Sequence, residues 1–344
     1  MKQNIILADC CPEEVATFAH GCMEQSQLQF ETLSSISNGS HSTAWQNMAR
    51  YAAYFLYPFK VFFHRKQYGV ILGWQQFYAI NYALYCRLFH VKKTNTLVAV
   101  NFTYKRKSGL VGKLYHSYMK YACNNQYLDY LHVPSLNYVN ICVQDLGIPA
   151  EKFIVTGFGV PDTYDEMKDR KAPMQDFSLS IGRSNRDFEF LVKVWSQPCL
   201  KDRQLVIASD TWKPTTVLPS NIIHRDDIKY DDSFAWFNSC NLCITPIEDG
   251  NICSGDTVLL TGMMFSKPSV VTTPSTLAEM YVRHQENGLC IPKDVEKAAQ
   301  MIAELLANKE QMATLGAKAR KSYLDNFSRE SMGKALIKAM NNKN

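Results

Sequence analysis

Pro246-Ile-Glu-Asp-Gly-Asn-Ile-Cys-Ser-Gly-Asp-Thr-Val-Leu-Leu-Thr261-Gly-Met-Met-Phe-Ser-Lys-Pro-Ser-Val-Val271, with Glu286-Asn287-Gly288 beyond it, is the stretch that decides the fold. The apolar run Leu242–Ile247 leads into it as a buried strand, and the polar residues that follow read as a loop. Ser254-Gly255-Asp256 opens a helix, and a Lys267-Pro268 break precedes a second apolar strand, Ser269–Thr272. In a parallel sheet this order sets free backbone N–H groups and the positive end of a helix at the carboxyl edge of the strands, where anionic ligands bind.

Outward from this stretch, strand-like runs alternate with helical ones along the whole chain, the pattern of an α/β fold. The first half predicts strands at Ile5–Ala8, Val70–Trp74, Leu97–Phe102, Tyr130–Val133 and Phe153–Val160. Helices are predicted at Thr43–His64, Gln75–Phe89, Leu110–Ala122 and Ser135–Leu146. After the polar connector Pro161–Asp176, strands restart at Phe177–Ile181, Leu205–Ala208 and Ile222–His224, and again at Leu289–Ile291. Asp187–Gln197, Ser233–Ser239, Asp294–Ala307, Lys309–Asn326 and Ser328–Met340 read as helices. The expected organisation is a first domain over 1–160, a linker over 161–176, a second domain over 177–326, and a final helix over 327–344 that returns to the first domain.

The 344 residues suit two domains of ordinary size, and 46% hydrophobic with 20% charged residues excludes a disordered chain. Eleven cysteines, an odd and scattered set in apolar surroundings, read as reduced core thiols. Cys240 and Cys243 form a Cys-x-x-Cys pair, but no second pair completes a zinc site, so no metal is expected. Met1-Lys-Gln-Asn leads directly into a strand rather than a secretory signal, and Tyr51–Phe63 is too short and too interrupted to span a membrane. A cytoplasmic protein is therefore expected, and the sequons at Asn38, Asn101 and Asn326 are accidental.

Charge is unevenly spread. Thr32–Leu128 holds twelve Lys or Arg and no Asp or Glu, so the formal net charge of +5 sits entirely in one block that is also rich in aromatic residues. A basic surface rimmed by aromatics fits an anionic membrane face or an anionic acceptor, and peripheral contact at the inner face of the plasma membrane is expected through block 50–120. No recognised nucleic-acid motif accompanies the charge, so no nucleic-acid partner is expected.

The stretch from Pro246 closely resembles the donor half of family 4 glycosyltransferases, which usually read Leu-Glu-Ala-Met-Ala-x-Gly-Lys-Pro-Val-Val there. Further phrases follow the family's order: Leu146-Gly-Ile-Pro-Ala-Glu-Lys152, Gly159-Val160-Pro161, Ser180-Ile-Gly182-Arg183, Glu286-Asn287-Gly288-Leu289, and Ala317-x-Ala-Arg320 with Phe327-Ser328. The resemblance covers most of Phe153–Met340 well and the first domain only thinly. It implies GT-B architecture: two Rossmann-like, doubly wound parallel-sheet domains facing a cleft, the first binding an acceptor and the second a nucleotide sugar.

Arg183 and Arg186, after a strand and before a helix, are the candidates for binding the donor diphosphate, since guanidinium forks match phosphate oxygens. An ion pair with Asp187 or Glu189 is the plainer alternative. The backbone of Ser254, Gly255, Asp256 and Thr257 would add N–H groups, although an ordinary helix cap reads the same way. The family's paired glutamates fall in register on Cys253 and Thr261. Thr261 can hydrogen-bond a hydroxyl but is no acid or base. Glu248 and Asp256 share the spacing out of register, and Glu248 is kept as a carboxylate that reaches the sugar from a loop. Asn101 stands where the family usually has a first-domain histidine and is read as a sugar or acceptor contact. His116 and His132 lie nearby in sequence, in aromatic surroundings that favour packing.

The resemblance implies a metal-independent, retaining transfer of a hexose-type sugar from a UDP- or GDP-linked donor to a lipid-linked or polysaccharide acceptor. No cofactor is expected beyond that co-substrate. The leaving phosphate itself would accept the acceptor's proton. The competing readings are a degenerate GT-B chain that binds nucleotide or serves as a scaffold, and a sugar-nucleotide epimerase.

Overall fold

A computed structural model describes residues 2–35, 44–252 and 254–343. Asn38 and Cys253 lie outside the described residues. The chain divides into two compact units, Met1–Pro161 with Arg329–Asn344, and Asp162–Ser328.

In the first unit the order is β1 (Gln3–Ala8), α1 (Pro12–Ser26), β2 (Phe30–Ser34), α2 (Ala44–Phe63), β3 (Tyr68–Gly73) and α3 (Gln76–Leu88). It continues with β4 (Thr96–Ala99), α4 (Gly109–Cys123), β5 (Tyr130–Val133), α5 (Leu136–Leu146) and β6 (Phe153–Val155). The six strands are parallel, in the order β2-β1-β3-β4-β5-β6. Both faces of a parallel sheet are covered, so alternate residues of one strand must serve two cores. Ile5, Leu7, Ile71, Leu97 and Ala99 pack on one side with α2–α5. Ile6, Leu72, Val98 and Val100 face the other side, against Phe18 and Cys22 of α1.

The second unit runs through α6 (Tyr164–Met167), β7 (Phe177–Ile181), α7 (Phe188–Trp195), β8 (Gln204–Ala208), β9 (Ile222–Arg225) and α8 (Tyr230–Ser239). After these come β10 (Leu242–Thr245), α9 (Asp256–Met264), β11 (Ser269–Thr273), α10 (Thr276–Tyr281), β12 (Leu289–Pro292), α11 (Val295–Ala307) and α12 (Lys309–Ser322). Its sheet is also six-stranded and parallel, ordered β12-β11-β10-β7-β8-β9. The last helix, α13 (Arg329–Asn341), belongs to the first unit, where Met332, Leu336, Ile337 and Met340 complete the α1 side of the core.

Several expected elements change at their ends. Pro246 stops β10 after Thr245, and the predicted strand over Phe153–Val160 ends at Val155. The expected linker over 161–176 carries α6. α1 and β2 are not among the expected elements: only Phe30 of β2 is buried, so it has no apolar pattern, whereas α1 does bury Val15, Phe18, Ala19 and Cys22 at helical spacing. All ten described cysteines are free, and the buried Cys240 and Cys243 sulfurs are 3.5 Å apart.

Candidate active site

β7 and β10 are neighbours at the point where the order of the second sheet reverses. Chain leaving β7 continues to one side and chain leaving β10 to the other, so a crevice opens between their loops at the carboxyl edge. The two loops are tied together by Asn185, whose own φ is 54°. Its Nδ2 donates to the Asp249 carbonyl at 3.0 Å and to Ser254 Oγ at 2.9 Å, and its Oδ1 accepts from the Asp249 N–H at 2.8 Å. An antiparallel bridge between Arg186 and Ile247, and the Asp187 N–H donating to the Pro246 carbonyl at 3.1 Å, extend the junction.

This junction aims Arg186 inward. Its side chain lies across Gly182, where a Cβ would stand 2.6 Å from Arg186 Nε. It also crosses Gly255, which has φ 100° and where a Cβ would stand 3.2 Å from Arg186 Nη2. Both glycines are needed to let the guanidinium pass over the backbone. Arg186 Nη1 donates to the Ser184 carbonyl at 3.0 Å, while Nε is buried with no hydrogen-bond partner. Burial pushes the guanidinium down to about 10, opposed only by the charge of Asp256. A half-buried cation with a buried, unsatisfied N–H and no ion pair among the described residues is a strong anion-attracting element. Gly255 caps α9 without a side-chain bond, so the positive end of that helix adds to the same field.

The surrounding pocket has a volume of about 770 Å³. Ile181–Arg183 line it from the end of β7, Ala208–Asp210 from β8, Asp226–Tyr230 from β9, and Gly255–Val258 with Thr261 from α9. Phe234 and Phe237 of α8 make one wall apolar.

The pocket thus brings together Arg183, Arg186, Gly255, Asp256, Thr257 and Thr261, with Ser254 held beside it by Asn185. Arg183 is exposed, and its Nε donates to Asp210 Oδ1 at 2.8 Å. Neither arginine pairs with Asp187 or Glu189. Asp187 caps α7 by accepting from the Phe190 N–H at 3.0 Å, and Glu189 accepts from Trp212 Nε1 at 3.1 Å. Thr261 is buried, and its hydroxyl donates back to the Thr257 carbonyl at 2.7 Å.

Glu248 does not line the pocket. Pro246 ends the strand and Asn185 fixes Asp249, so the Glu248 side chain is left exposed, and Lys293 Nζ takes its backbone carbonyl at 2.5 Å. Every carboxylate that does line the pocket is engaged. Asp210 pairs with Arg183, Asp226 with Lys213 at 2.9 Å, Asp227 with Arg225 at 2.7 Å, and Asp256 accepts from Tyr281 Oη at 2.6 Å. The site can hold an anion, but it offers no unengaged carboxylate as a base.

Residues 177–308 match the family described as Glycosyl transferases group 1. The chain carries a group 1 glycosyltransferase domain. No curated protein matches it in sequence. Among solved structures, Anabaena Alr3699/HepE in complex with UDP superposes with a TM-score of 0.62 at 12% identity, covering 99% of this chain and 100% of that one. A sucrose-phosphate synthase from Thermosynechococcus elongatus gives 0.62 at 14% identity, with 99% of each chain covered. WaaG, a glycosyltransferase involved in lipopolysaccharide biosynthesis, gives 0.56 at 13% identity over 97% of this chain and 99% of its own. At these identities the likeness establishes the fold alone, GT-B.

The first unit holds Asn101, just past β4, with φ 54°. Its N–H donates to His132 Nδ1 at 3.1 Å, and His132 Nε2 lies 3.1 Å from the Thr156 carbonyl. With Nδ1 accepting, Nε2 carries the proton, so His132 is a neutral brace rather than an acid or base. Burial pushes its imidazole down to about 4. The unfolded chain therefore binds the proton first as pH falls from the ordinary value near 6.5 toward 4, and stability is lost across that window. We expect His132→Gln, which can keep both hydrogen bonds, to flatten the urea stability difference between pH 7.5 and pH 5 by about 2 kcal/mol. An unchanged slope would remove His132 from the account of acid sensitivity. His116, the other nearby histidine, meets Tyr104 Oη at 2.8 Å.

Among the described residues, His20, Glu24 and Glu330 form the one group with metal-ligand spacing. Lys334 Nζ already bridges its two carboxylates at 2.9 and 2.8 Å.

Proposed function

We propose that the protein transfers a hexose-type sugar from a nucleotide sugar to a lipid-linked or polysaccharide acceptor, with retention and without a metal. The observation that carries the reading is Arg186, at the switch point beside the uncapped end of α9. Its guanidinium is half-buried, with no ion pair among the described residues and a buried, unpartnered Nε. A diphosphate supplies the anionic partner that Arg186 lacks, and Arg183 at the rim would take a second phosphate by exchanging its partner Asp210. UDP is the first nucleotide to test, because HepE was solved with UDP and with UDP-glucose; GDP is the second.

The engaged pocket carboxylates favour a step in which no protein base takes part. The acceptor oxygen bonds to the anomeric carbon as the carbon–oxygen bond to the phosphate breaks. The departing diphosphate oxygen keeps that electron pair and takes the acceptor hydroxyl's proton. Arg186 and α9 stabilise the charge that gathers on the leaving group. The remaining parts of the donor and acceptor sites, including any contact from Asn101, belong to this proposal.

The test is release of UDP or GDP from a panel of nucleotide sugars with lipid-linked acceptors, in the presence of EDTA. The anomeric configuration of the product is read by NMR. Turnover that survives the chelator with the anomeric configuration kept supports the proposal; inversion or loss with EDTA contradicts the corresponding part. A second reading, a nucleotide-binding GT-B protein without turnover, draws on the same lack of an unengaged carboxylate. It predicts that UDP or GDP binds while no donor is consumed.

A further inference from the structure

Among the described residues no helix is long and apolar enough to cross a membrane, yet α2 is apolar on two sides. Tyr54, Val61 and Phe62 face the core of the first unit. Met48, Tyr51, Phe55 and Phe63 recur at helical spacing on the outer side and are 59%, 65%, 46% and 64% exposed. A folded chain leaves such a stripe in water only where something else covers it.

The stripe continues onto neighbouring helices. The ring of Phe55 lies 6.4 Å from Tyr118 of α4, and α4 adds the exposed Leu110, Val111 and Leu114 one and two turns earlier. At the other end Phe59 lies 5.0 Å from Phe63 and 6.2 Å from the exposed Phe89 that closes α3. The apolar surface is thus carried jointly by α2, the end of α3 and α4.

Its charge points to the occupant. The block 32–128 that contains all three helices has twelve basic residues and no acidic one. Lys60 on α2, Lys107 before α4, and Lys113 and Lys120 on α4 are exposed. Arg50, Lys93 and Arg106 of the block pair with Asp9, Asp129 and Asp145 from outside it, but the four exposed lysines keep the face net basic. A second copy would repel the first, whereas acidic headgroups attract it and the aromatic stripe suits the boundary with the acyl chains.

We propose that the α2–α3–α4 face docks the protein on an anionic lipid membrane, with α2 lying in the interface. For its purpose the proposal rests on the reading of a lipid-linked acceptor, and for its geometry on this surface alone. The experiment is flotation of the full chain with vesicles of phosphatidylcholine, alone or mixed with phosphatidylglycerol. Binding is expected only to the mixed vesicles and should weaken with salt. The charge-reversal pair Lys113→Glu and Lys120→Glu, and the triple change Leu110→Ser, Val111→Ser and Leu114→Ser, should each lower partitioning about tenfold or more. UDP affinity measured without lipid should not change in either variant, which also shows that each has folded. Equal binding to both vesicle types, or unaltered partitioning of both variants, overturns the proposal. So does a dimer in solution that the same changes dissociate, since a second copy would then be the occupant. Vesicle binding without any nucleotide binding would instead sink the donor reading and leave the docking face standing.

Discussion

Arg186→Met is expected to weaken UDP binding about a hundredfold while raising the thermal unfolding midpoint of the free protein. Both effects come from one cause. The guanidinium is partly withdrawn from water, with Nε buried and unpartnered among the described residues, and desolvation lowers it to about 10. Its charged form is therefore a cost to the empty protein. That cost is fully present at neutral pH and shrinks only as pH rises from about 10 toward the ordinary arginine value. Methionine fills similar space over Gly182 and Gly255 without a charge, so about 1–3 kcal/mol of stability should be recovered. When diphosphate binds, the same charge gains paired hydrogen bonds of the strong, charge-assisted kind, and these the variant cannot form. Calorimetric titration with UDP and a thermal melt read the two effects separately. If affinity falls and the melting temperature falls with it, Arg186 is a structural residue and the anion site lies elsewhere.

Gly182→Val should weaken UDP binding about tenfold or more without removing any charge. A β-carbon at this position stands 2.6 Å from Arg186 Nε and 3.1 Å from its Cγ and Cζ. Those atoms belong to a flexible side chain, so the arginine can swing away and the guanidinium then leaves the pocket. The glycine's φ of 157° adds backbone strain that should lower the melting temperature as well. The consequence that separates this from general damage is non-additivity. In an Arg186→Met background the same change at Gly182 should add little, giving a coupling of about 1–2 kcal/mol in UDP binding. Full additivity, read from the four titrations of the cycle, would mean that Gly182 acts on something other than Arg186.

Much of the second unit could be read from residues alone, because its strands are continuous apolar runs with distinct stops. Pro246 and Lys267-Pro268 bracket α9, and the two loops of the switch point follow from the strand–loop–helix order. The cations of the site were also legible, since Gly182-Arg183-Ser184-Asn185-Arg186 sits between a strand and a helix. What could not be read were the effects of contacts distant in sequence. Asn185 looks like one polar turn residue among several, yet it joins two loops 64 and 69 residues apart along the chain. That junction leaves Glu248 outside the pocket and seats Arg186 within it. Thr261 lines the pocket, and its bond back to the Thr257 carbonyl depends on a rotamer that no pattern encodes. Asp226–Tyr230 carried no motif, and they line the pocket only because β9 is the edge strand beyond β8. In the first unit, β2 lacks an apolar period, whereas α1 carries one in Val15, Phe18, Ala19 and Cys22 that was passed over, and α13 supplies much of the core that covers α1.

The central claim is that the second unit's switch-point pocket holds a nucleoside diphosphate through Arg186. Calorimetric titration of the full chain with UDP, GDP and their phosphate-free nucleosides, repeated on Arg186→Met, tests it most directly. At least one diphosphate is expected to bind, its nucleoside far more weakly, and the variant to lose most of the difference. Equal binding of nucleoside and diphosphate, or a diphosphate affinity unchanged by the substitution, would contradict it.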